Sequence, residues 1–183
     1  MKNLQLFLCT IGLAAISTQS LIAQSQDDWV EWGYVDGLNP GDSFGSSMLP
    51  LGDVNNDLYD DYLVASPQSG SYLRRAGELS IISGKDDSII ASASGSSIGQ
   101  QIGYSICVLG EHDGDGLLKI AASSPFSNTN NGMFSGVVNV YAFDPSTSDL
   151  YLWQELAGDN AGAMFGVGVA ALVYLVLGLL LYA

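Results

Sequence analysis

The feature that most constrains the fold is an internal repeat. The segment GDSFGSSMLPLGDVNNDLYDDYLVASP (41–67) aligns without a gap with GQQIGYSICVLGEHDGDGLLKIAASSP (99–125), at an offset of 58 residues. Eight of the 27 aligned positions are identical, and they include glycines and the closing proline, where backbone geometry restricts the residue type. A recurring unit is typical of a supersecondary element that stacks on its neighbours. The sequence therefore predicts two repeats, 41–98 and 99–160.

Each repeat is predicted to form a small antiparallel sheet. The strand-like runs of the first repeat cover residues 45–51, 62–65, 79–83 and, more weakly, 88–91. The second repeat carries GVVNVYAF (136–143) where the first has GELSIISG (77–84). With 22 glycines and 13% charged residues, the composition favours β structure with tight turns. Because propeller blades have four strands, the predicted class is all-β, an incomplete β-propeller of about two four-stranded blades.

A third repeat begins and then changes character. The segment WQELAGDNAGAMFG (153–166) echoes WVEWGYVDGLNPGDSFG (29–45), since both run from a tryptophan through an acidic turn to Phe-Gly. Residues 161–183 form the start of this repeat and merge into an apolar tail. About 20 apolar residues suffice to cross a bilayer. Two interpretations stay open: a C-terminal helical membrane anchor inserted through 163–183, or a truncated β repeat.

The other end of the chain predicts export. Residues 1–23 combine Lys2 with a mostly apolar stretch and a small-residue end, which is typical of a secretory signal peptide cleaved after Ala23. The alternative is an N-terminal anchor helix that stays attached. Residues 24–40 are predicted to form a lead-in strand at an outer blade edge. The protein is therefore expected to be secreted or held at the cell surface.

Charge and cysteine content limit the classes of ligand that the chain can bind and the disulfides that it can form. Lys plus Arg number 5 and Asp plus Glu number 19, for a net charge of −14. Nucleic-acid binding needs clustered basic residues, so that partner is excluded, whereas a hard cation is compatible with this balance. Of the two cysteines, Cys9 lies in the leader, and Cys107 is predicted to be a buried strand residue without a disulfide partner.

The first repeat contains a candidate calcium loop, which we call the first loop (53–61). Oxygen donors fall at alternate positions 1, 3, 5, 7 and 9 of this loop: the side chains of Asp53, Asn55, Asp57 and Asp61, and the backbone carbonyl of Tyr59. With water, this set approaches the six to eight oxygens that Ca²⁺ prefers. An EF-hand would need Gly at position 6 and Glu at position 12, where this chain has Leu58 and Val64. The alternative is a solvated Asp/Asn turn.

The equivalent second loop (111–119) is a weaker candidate. Its ligands at positions 1, 3, 5 and 7 would be Glu111, Asp113, Asp115 and the carbonyl of Leu117. Position 9 is Lys119, whose ammonium would either take the place of an ion or point away.

These motifs resemble the FG-GAP repeat. The resemblance rests on Phe44-Gly45, the first loop and LVASP (63–67), and the second repeat departs from it with Ile102-Gly103 and a Ser-Ser-Pro close. FG-GAP repeats form the N-terminal propeller of integrin α chains and recur in secreted bacterial proteins. The resemblance implies hairpin-type calcium loops and a role in adhesion or recognition.

The expected function is that of an exported calcium-binding protein without catalysis, which presents a surface to an extracellular protein or glycan. The alternative is an accessory propeller module or truncated fragment of a larger exported enzyme or adhesin, completed by further blades or by self-association. The sequence GSSIG (95–99) fits the G-x-S-x-G nucleophile motif, but this motif needs a strand–turn–helix setting and a His–acid pair. We predict that Ser97 is a polar turn residue and His112 a solvent-facing loop residue.

Overall fold

The chain forms two four-stranded antiparallel sheets. The structure, a computed structural model, describes residues 35–37, 39–70, 73–111 and 113–171, which belong to one compact unit. The first sheet contains β1 (Ser47–Gly52), β2 (Asp61–Ser66), β3 (Glu78–Ile82) and β4 (Ile89–Ser94). The second contains β5 (Ile106–Gly110), β6 (Leu118–Ser124), β7 (Val137–Asp144) and β8 (Asp149–Ala157). The described residues contain no helix, so the predicted all-β class is confirmed.

Strand positions in the first repeat follow the sequence pattern closely. The ends of β1 to β4 differ from the predicted runs by one to three residues. Consecutive strands are neighbours in each sheet, which is the order of a blade formed from successive hairpins. Strand β8 was not anticipated, because its side chains are mostly exposed and give no apolar alternation.

Three predicted segments fall wholly or partly outside the described residues. The proposed signal peptide (1–23) and most of the apolar tail (172–183) lie outside them. Of the predicted lead-in strand, residues 35–37, 39 and 40 are described and have no strand structure. Within the described part of the chain, no helix has the length and apolar character needed to span a bilayer.

The main core lies between the two sheets. Strand β1 lies against β5, and β4 lies against β8. Leu63 of β2 and Ile120 and Ala122 of β6 are fully buried members of one apolar cluster. Since alternate strand residues face opposite sides, Ala121 joins a second cluster on the far face, with Cys107. Cys107 is buried, as predicted, and burial raises the pKa of its thiol.

A short turn joins the first sheet to the second. Residues 99–103 form this turn, in which Ile102 makes a parallel bridge with Gly77. The Ile102 N–H donates to the carbonyl of Ala76 at 2.9 Å. Gly77 has a φ of +82°, and a Cβ there would collide with the backbone of Ile102. Glycine is therefore required at this point for both conformation and space.

The same glycine turn recurs at 41–45, 99–103 and 162–166. Each copy begins and ends with a glycine of positive φ, and its middle residue also has positive φ: 58° at Ser43, 56° at Gln101 and 48° at Met164. The third copy of the turn contacts the second sheet in the same way as the second copy contacts the first sheet. Phe165 N–H donates to the Ser135 carbonyl at 2.9 Å, which reproduces the contact between Ile102 and Ala76. The backbone thus repeats this contact from one sheet to the next.

Candidate cation-binding loops

Both acidic loops occupy the same place in their sheets. The first loop joins β1 to β2, and the second joins β5 to β6. The pairing register shifts at the end of β1 and again at the end of β5, immediately before each loop. Such an irregularity bends a strand locally. The two loops therefore leave their sheets at matching points.

The loops also share a backbone conformation. Position 4 has positive φ in both, at Asn56 (63°) and Gly114 (80°). Position 6 has positive φ in both, at Leu58 (77°) and Gly116 (78°). The second loop meets this requirement with glycines, whereas the first places a bulky residue in a region that costs an L-residue about 1–2 kcal/mol. Leu58 is also 91% exposed, so packing does not offset this cost.

We predict that Leu58→Gly raises the free energy of unfolding by about 0.5–1 kcal/mol, because relief of the positive-φ cost exceeds the entropic cost of glycine. The matched change Gly116→Leu, where a Cβ would meet open space, should lower it by about 1–2 kcal/mol. Denaturant unfolding of the two variants without added metal measures both effects. If both substitutions changed the free energy of unfolding in the same direction, Leu58 would not carry the positive-φ cost that Gly116 avoids.

In the second loop, a buried ammonium lies among the predicted ligands. The Lys119 side chain is 0% exposed. Its Nζ donates to Asp115 Oδ1 and Oδ2 at 2.7 Å each and to Asp113 Oδ1 at 3.2 Å. The carbonyl of Leu117 accepts a longer bond at 3.4 Å. The predicted ligands at positions 3, 5 and 7 thus surround one cationic atom.

The ion pair is electrostatically well matched. Burial works against the charged form of Lys119, but hydrogen bonds to Asp115 and Asp113 outweigh it and raise the pKa of the ammonium. The hydrogen bond from Lys119 is the main cause of the lowered pKa of Asp115. Both groups therefore stay ionised at neutral pH.

Two further features complete the second loop. The carboxylates of Glu111, Asp113 and Asp115 have oxygens within 4.8 Å of one another, a spacing that could hold a metal ion. Within the described residues, no three of the four carboxylates of the first loop approach one another this closely. The ring of Trp153, on β8, lies over the ammonium, with its centroid 5.4 Å from Lys119 Nζ. A tryptophan face attracts a cation and adds to the stability of the buried charge.

The first loop is organised by hydrogen bonds to its own backbone. Asp53 accepts from the N–H of Asp57 at 3.0 Å and of Leu58 at 2.9 Å. Asp57 accepts from the N–H of Tyr59 at 3.0 Å, and Asn55 Nδ2 donates to Asp57 Oδ2 at 3.1 Å. The contact from Tyr59 to Asp57 has its counterpart in the second loop, where Asp115 accepts from the N–H two residues later. The side chains at positions 1, 3 and 5 are thereby held in the loop.

Position 9 distinguishes the two loops. Asp61 is 1% exposed, and its carboxylate accepts from Val54 N–H at 2.9 Å and Gly84 N–H at 3.2 Å. Among the described residues, no ammonium or guanidinium lies within ion-pair distance of Asp61. Buried charges are normally paired or bound to a metal. At the same loop position, the second repeat supplies a cation and the first repeat buries an anion.

Some features of these loops were missed from the sequence. Gly84 and Ser83, in the turn after β3, contact Asp61 and Asp57 of the first loop. Trp153 reaches the second loop from β8. Neither contact could be predicted from the residues of the loops themselves, because each depends on how distant strands pair. Ser97 is an exposed turn residue whose N–H donates to the Gln100 side chain, as predicted, and His112 lies outside the described residues.

Two blade-like sheets with matching acidic loops define the class of this protein as an all-β repeat. No protein-family model matches the chain, and no curated protein matches it.

Proposed function

We propose that this chain is an exported, non-catalytic, calcium-binding module of propeller-type blades, with a surface that recognises an extracellular protein or glycan. The observation that carries the calcium assignment is the contrast at position 9. A buried Lys119 ammonium neutralises the second loop, whereas in the part of the chain that the structure describes no cationic side chain lies beside the buried Asp61 carboxylate of the first loop. This contrast favours a cation from solution at the first loop.

The contacts of Lys119 in the second loop indicate where a cation would lie in the first loop. The Lys119 ammonium contacts oxygens at positions 3, 5 and 7 of a loop whose entry and positive-φ residues match those of the first. The equivalent oxygens of the first loop belong to Asn55, Asp57 and the Tyr59 carbonyl. Asp53 and Asp61 add carboxylates at positions 1 and 9. An all-oxygen set with several carboxylates favours a hard cation, and its size and flexibility favour Ca²⁺ over Mg²⁺.

The blade arrangement supports the propeller proposal. The glycine turn recurs three times in the described residues, and in two of the three cases it joins a completed sheet to the segment that follows. On the far face of the second sheet, an apolar groove of about 350 Å³ is lined by Cys107, Val138, Val140 and Phe165, among others. Such a face suits packing against another blade. This favours the variant of the proposal in which the blades belong to a larger propeller.

The proposed recognition surface includes the outer strand of the second sheet. Along β8, the large side chains of Tyr151, Leu152, Trp153 and Leu156 are between 39% and 49% exposed. Exposed apolar and aromatic groups on an edge strand are typical of interaction sites. The resemblance to FG-GAP repeats and the predicted signal peptide support an extracellular role for this surface.

Calorimetric titration with calcium tests the proposal. We expect the full chain, kept soluble with mild detergent, to bind calcium at the first loop. Asp57→Ala should weaken this binding by about a hundredfold or more, because it removes a charged ligand. Asp115→Ala, in the second loop, should leave it unchanged. Absence of calcium binding by the folded wild-type chain would show that the first loop is a hydrogen-bonded turn and would end the calcium assignment.

A further inference from the structure

We infer that Lys119 is a built-in counterion that occupies the cation position of the second loop and prevents a metal ion from binding there. The inference goes beyond the proposed function, since it concerns the second loop and does not depend on calcium binding at the first. It assigns to one residue the exclusion of metal from the second loop.

The contacts of Lys119 are those expected of a central cation. An ammonium has three donors and no acceptor. Here Nζ contacts oxygens from Asp113, Asp115 and Leu117, which stand at positions 3, 5 and 7 of the loop. A metal ion in this loop would draw on the same oxygens. The two occupants therefore exclude each other.

Burial makes this exclusion effective. A surface lysine could swing away and leave its carboxylates to a metal ion, but the Lys119 side chain has no exposure to solvent. Its backbone is fixed in β6, where Lys119 pairs with Gly110 of β5 and with Ala142 of β7. The ring of Trp153 lies over the ammonium. A metal ion entering the loop would have to displace a buried cation or lie beside it, and both alternatives are unfavourable.

The carboxylates explain why a cation is needed there at all. Oxygens of Glu111, Asp113 and Asp115 lie within 4.8 Å of one another, and unscreened carboxylates at this distance repel. Lys119 offsets this repulsion without any ion from solution. We therefore expect the second loop to keep its structure in the presence of a chelator.

The test uses terbium, a calcium substitute whose luminescence is sensitised by a nearby aromatic ring. The ring centroid of Trp153 lies 5.4 Å from Lys119 Nζ, whereas the first loop contains Tyr59. Because Trp29 and Trp32 are excited at the same wavelength, the emission that reports on the second loop is the part that Trp153→Phe removes. The full chain, in mild detergent, is compared with Lys119→Asp, which gives the second loop the residue that the first has at position 9. Lys119→Met is the matched control, because it removes the charge and keeps a long side chain but adds no oxygen ligand.

The inference predicts no Trp153-dependent terbium emission from the wild-type chain. Lys119→Asp should gain such emission and show one additional calcium site by calorimetry. The second loop of this variant should bind calcium about a hundredfold more tightly, or better, than the wild-type second loop, because affinity follows the charge of the ligand set. Lys119→Met should gain less affinity than Lys119→Asp. Trp153→Phe, added to Lys119→Asp, should remove the emission and keep the calorimetric site.

Two results would overturn the inference. One is Trp153-dependent terbium emission from the wild-type chain that Asp115→Ala abolishes, since a metal would then bind with Lys119 in place. This measurement needs no Lys119 variant and holds even if Lys119→Asp fails to fold. The other is a folded Lys119→Asp chain that gains no site. Asp57→Ala reports on calcium binding at the first loop only. A wild-type chain that binds no calcium there would contradict the proposed function and leave the inference about Lys119 intact.

Discussion

Gly77→Ala is expected to lower the free energy of unfolding by about 3–5 kcal/mol, from the combined cost of a positive φ and of forcing apart packed backbone. A Cβ at Gly77 would overlap the backbone of Ile102, in the turn that joins the two sheets. Since Ile102 is fully buried and hydrogen-bonded to Ala76, it has no room to withdraw. The substitution should therefore weaken the contact between the first sheet and the second repeat.

The control for this effect is Gly99→Ala. Gly99 has a φ of +76°, close to the +82° of Gly77, but a Cβ there would meet no atom within 4 Å. This variant should lose only about 1–2 kcal/mol, the cost of positive φ itself. Denaturant unfolding of both variants gives the difference. The second sheet offers an internal replicate, Gly136→Ala against Gly162→Ala, because Gly136 faces the backbone of Phe165 and Gly162 faces open space.

Equal losses at Gly77 and Gly99 would mean that the turn yields to an added methyl group. The repeated glycine turn would then act as a flexible linker rather than as a rigid joint. In that case the stacking of one sheet on the next would have to come from the apolar core between them.

The backbone of the repeat could be predicted from the sequence because its constraints are local. Glycines at 41, 45, 99 and 103 align between repeats, and all four have positive φ. Short apolar runs flanked by turn residues located β1 to β4 to within three residues. These signals depend on the conformational limits of single residues and on strand alternation, which a sequence carries directly.

The state of the second loop could not be predicted, because it depends on distant parts of the chain. The sequence places Lys119 at position 9 but leaves its direction open. Lys119 alternates with Leu118 and Ile120 of the main core, so its side chain lies on the far face of the second sheet. There Asp113, Asp115 and the ring of Trp153 on β8 contact the ammonium. The sequence matches Trp153 to Trp29 but does not show that its ring lies over Lys119, because that contact depends on the pairing of β8 with β7.

The first loop shows an intermediate case. Its oxygen-bearing residues were identified by alternate spacing, and the hydrogen bonds of Asp53, Asp57 and Asp61 fit an ordered loop. The burial of Asp61 and its bond from Gly84 arise from the packing of the turn after β3. The calcium assignment stays a prediction, and it implies that calcium raises the free energy of unfolding.

Calcium at a hundred times its dissociation constant is expected to raise the free energy of unfolding by about 2.7 kcal/mol, because an ion that binds only the folded chain stabilises it by mass action. Asp61→Asn should abolish most of this increment. The change removes the buried charge at position 9 and turns an amide N–H toward one of the N–H groups of Val54 and Gly84. Thermal or denaturant unfolding with calcium and with a chelator measures the increment in each variant.

Asp60→Asn is the matched control, since Asp60 is an exposed neighbour that carries the same charge but stands at none of the five ligand positions. It should retain nearly the whole increment, whereas a general effect of loop charge would reduce the increment in both variants alike. The comparison uses the difference made by calcium, so any loss of stability that Asp61→Asn causes without the ion cancels. An increment that survives Asp61→Asn would place the ion elsewhere than around position 9. The contrast between Asp61 and Lys119 would then have to be explained by packing alone.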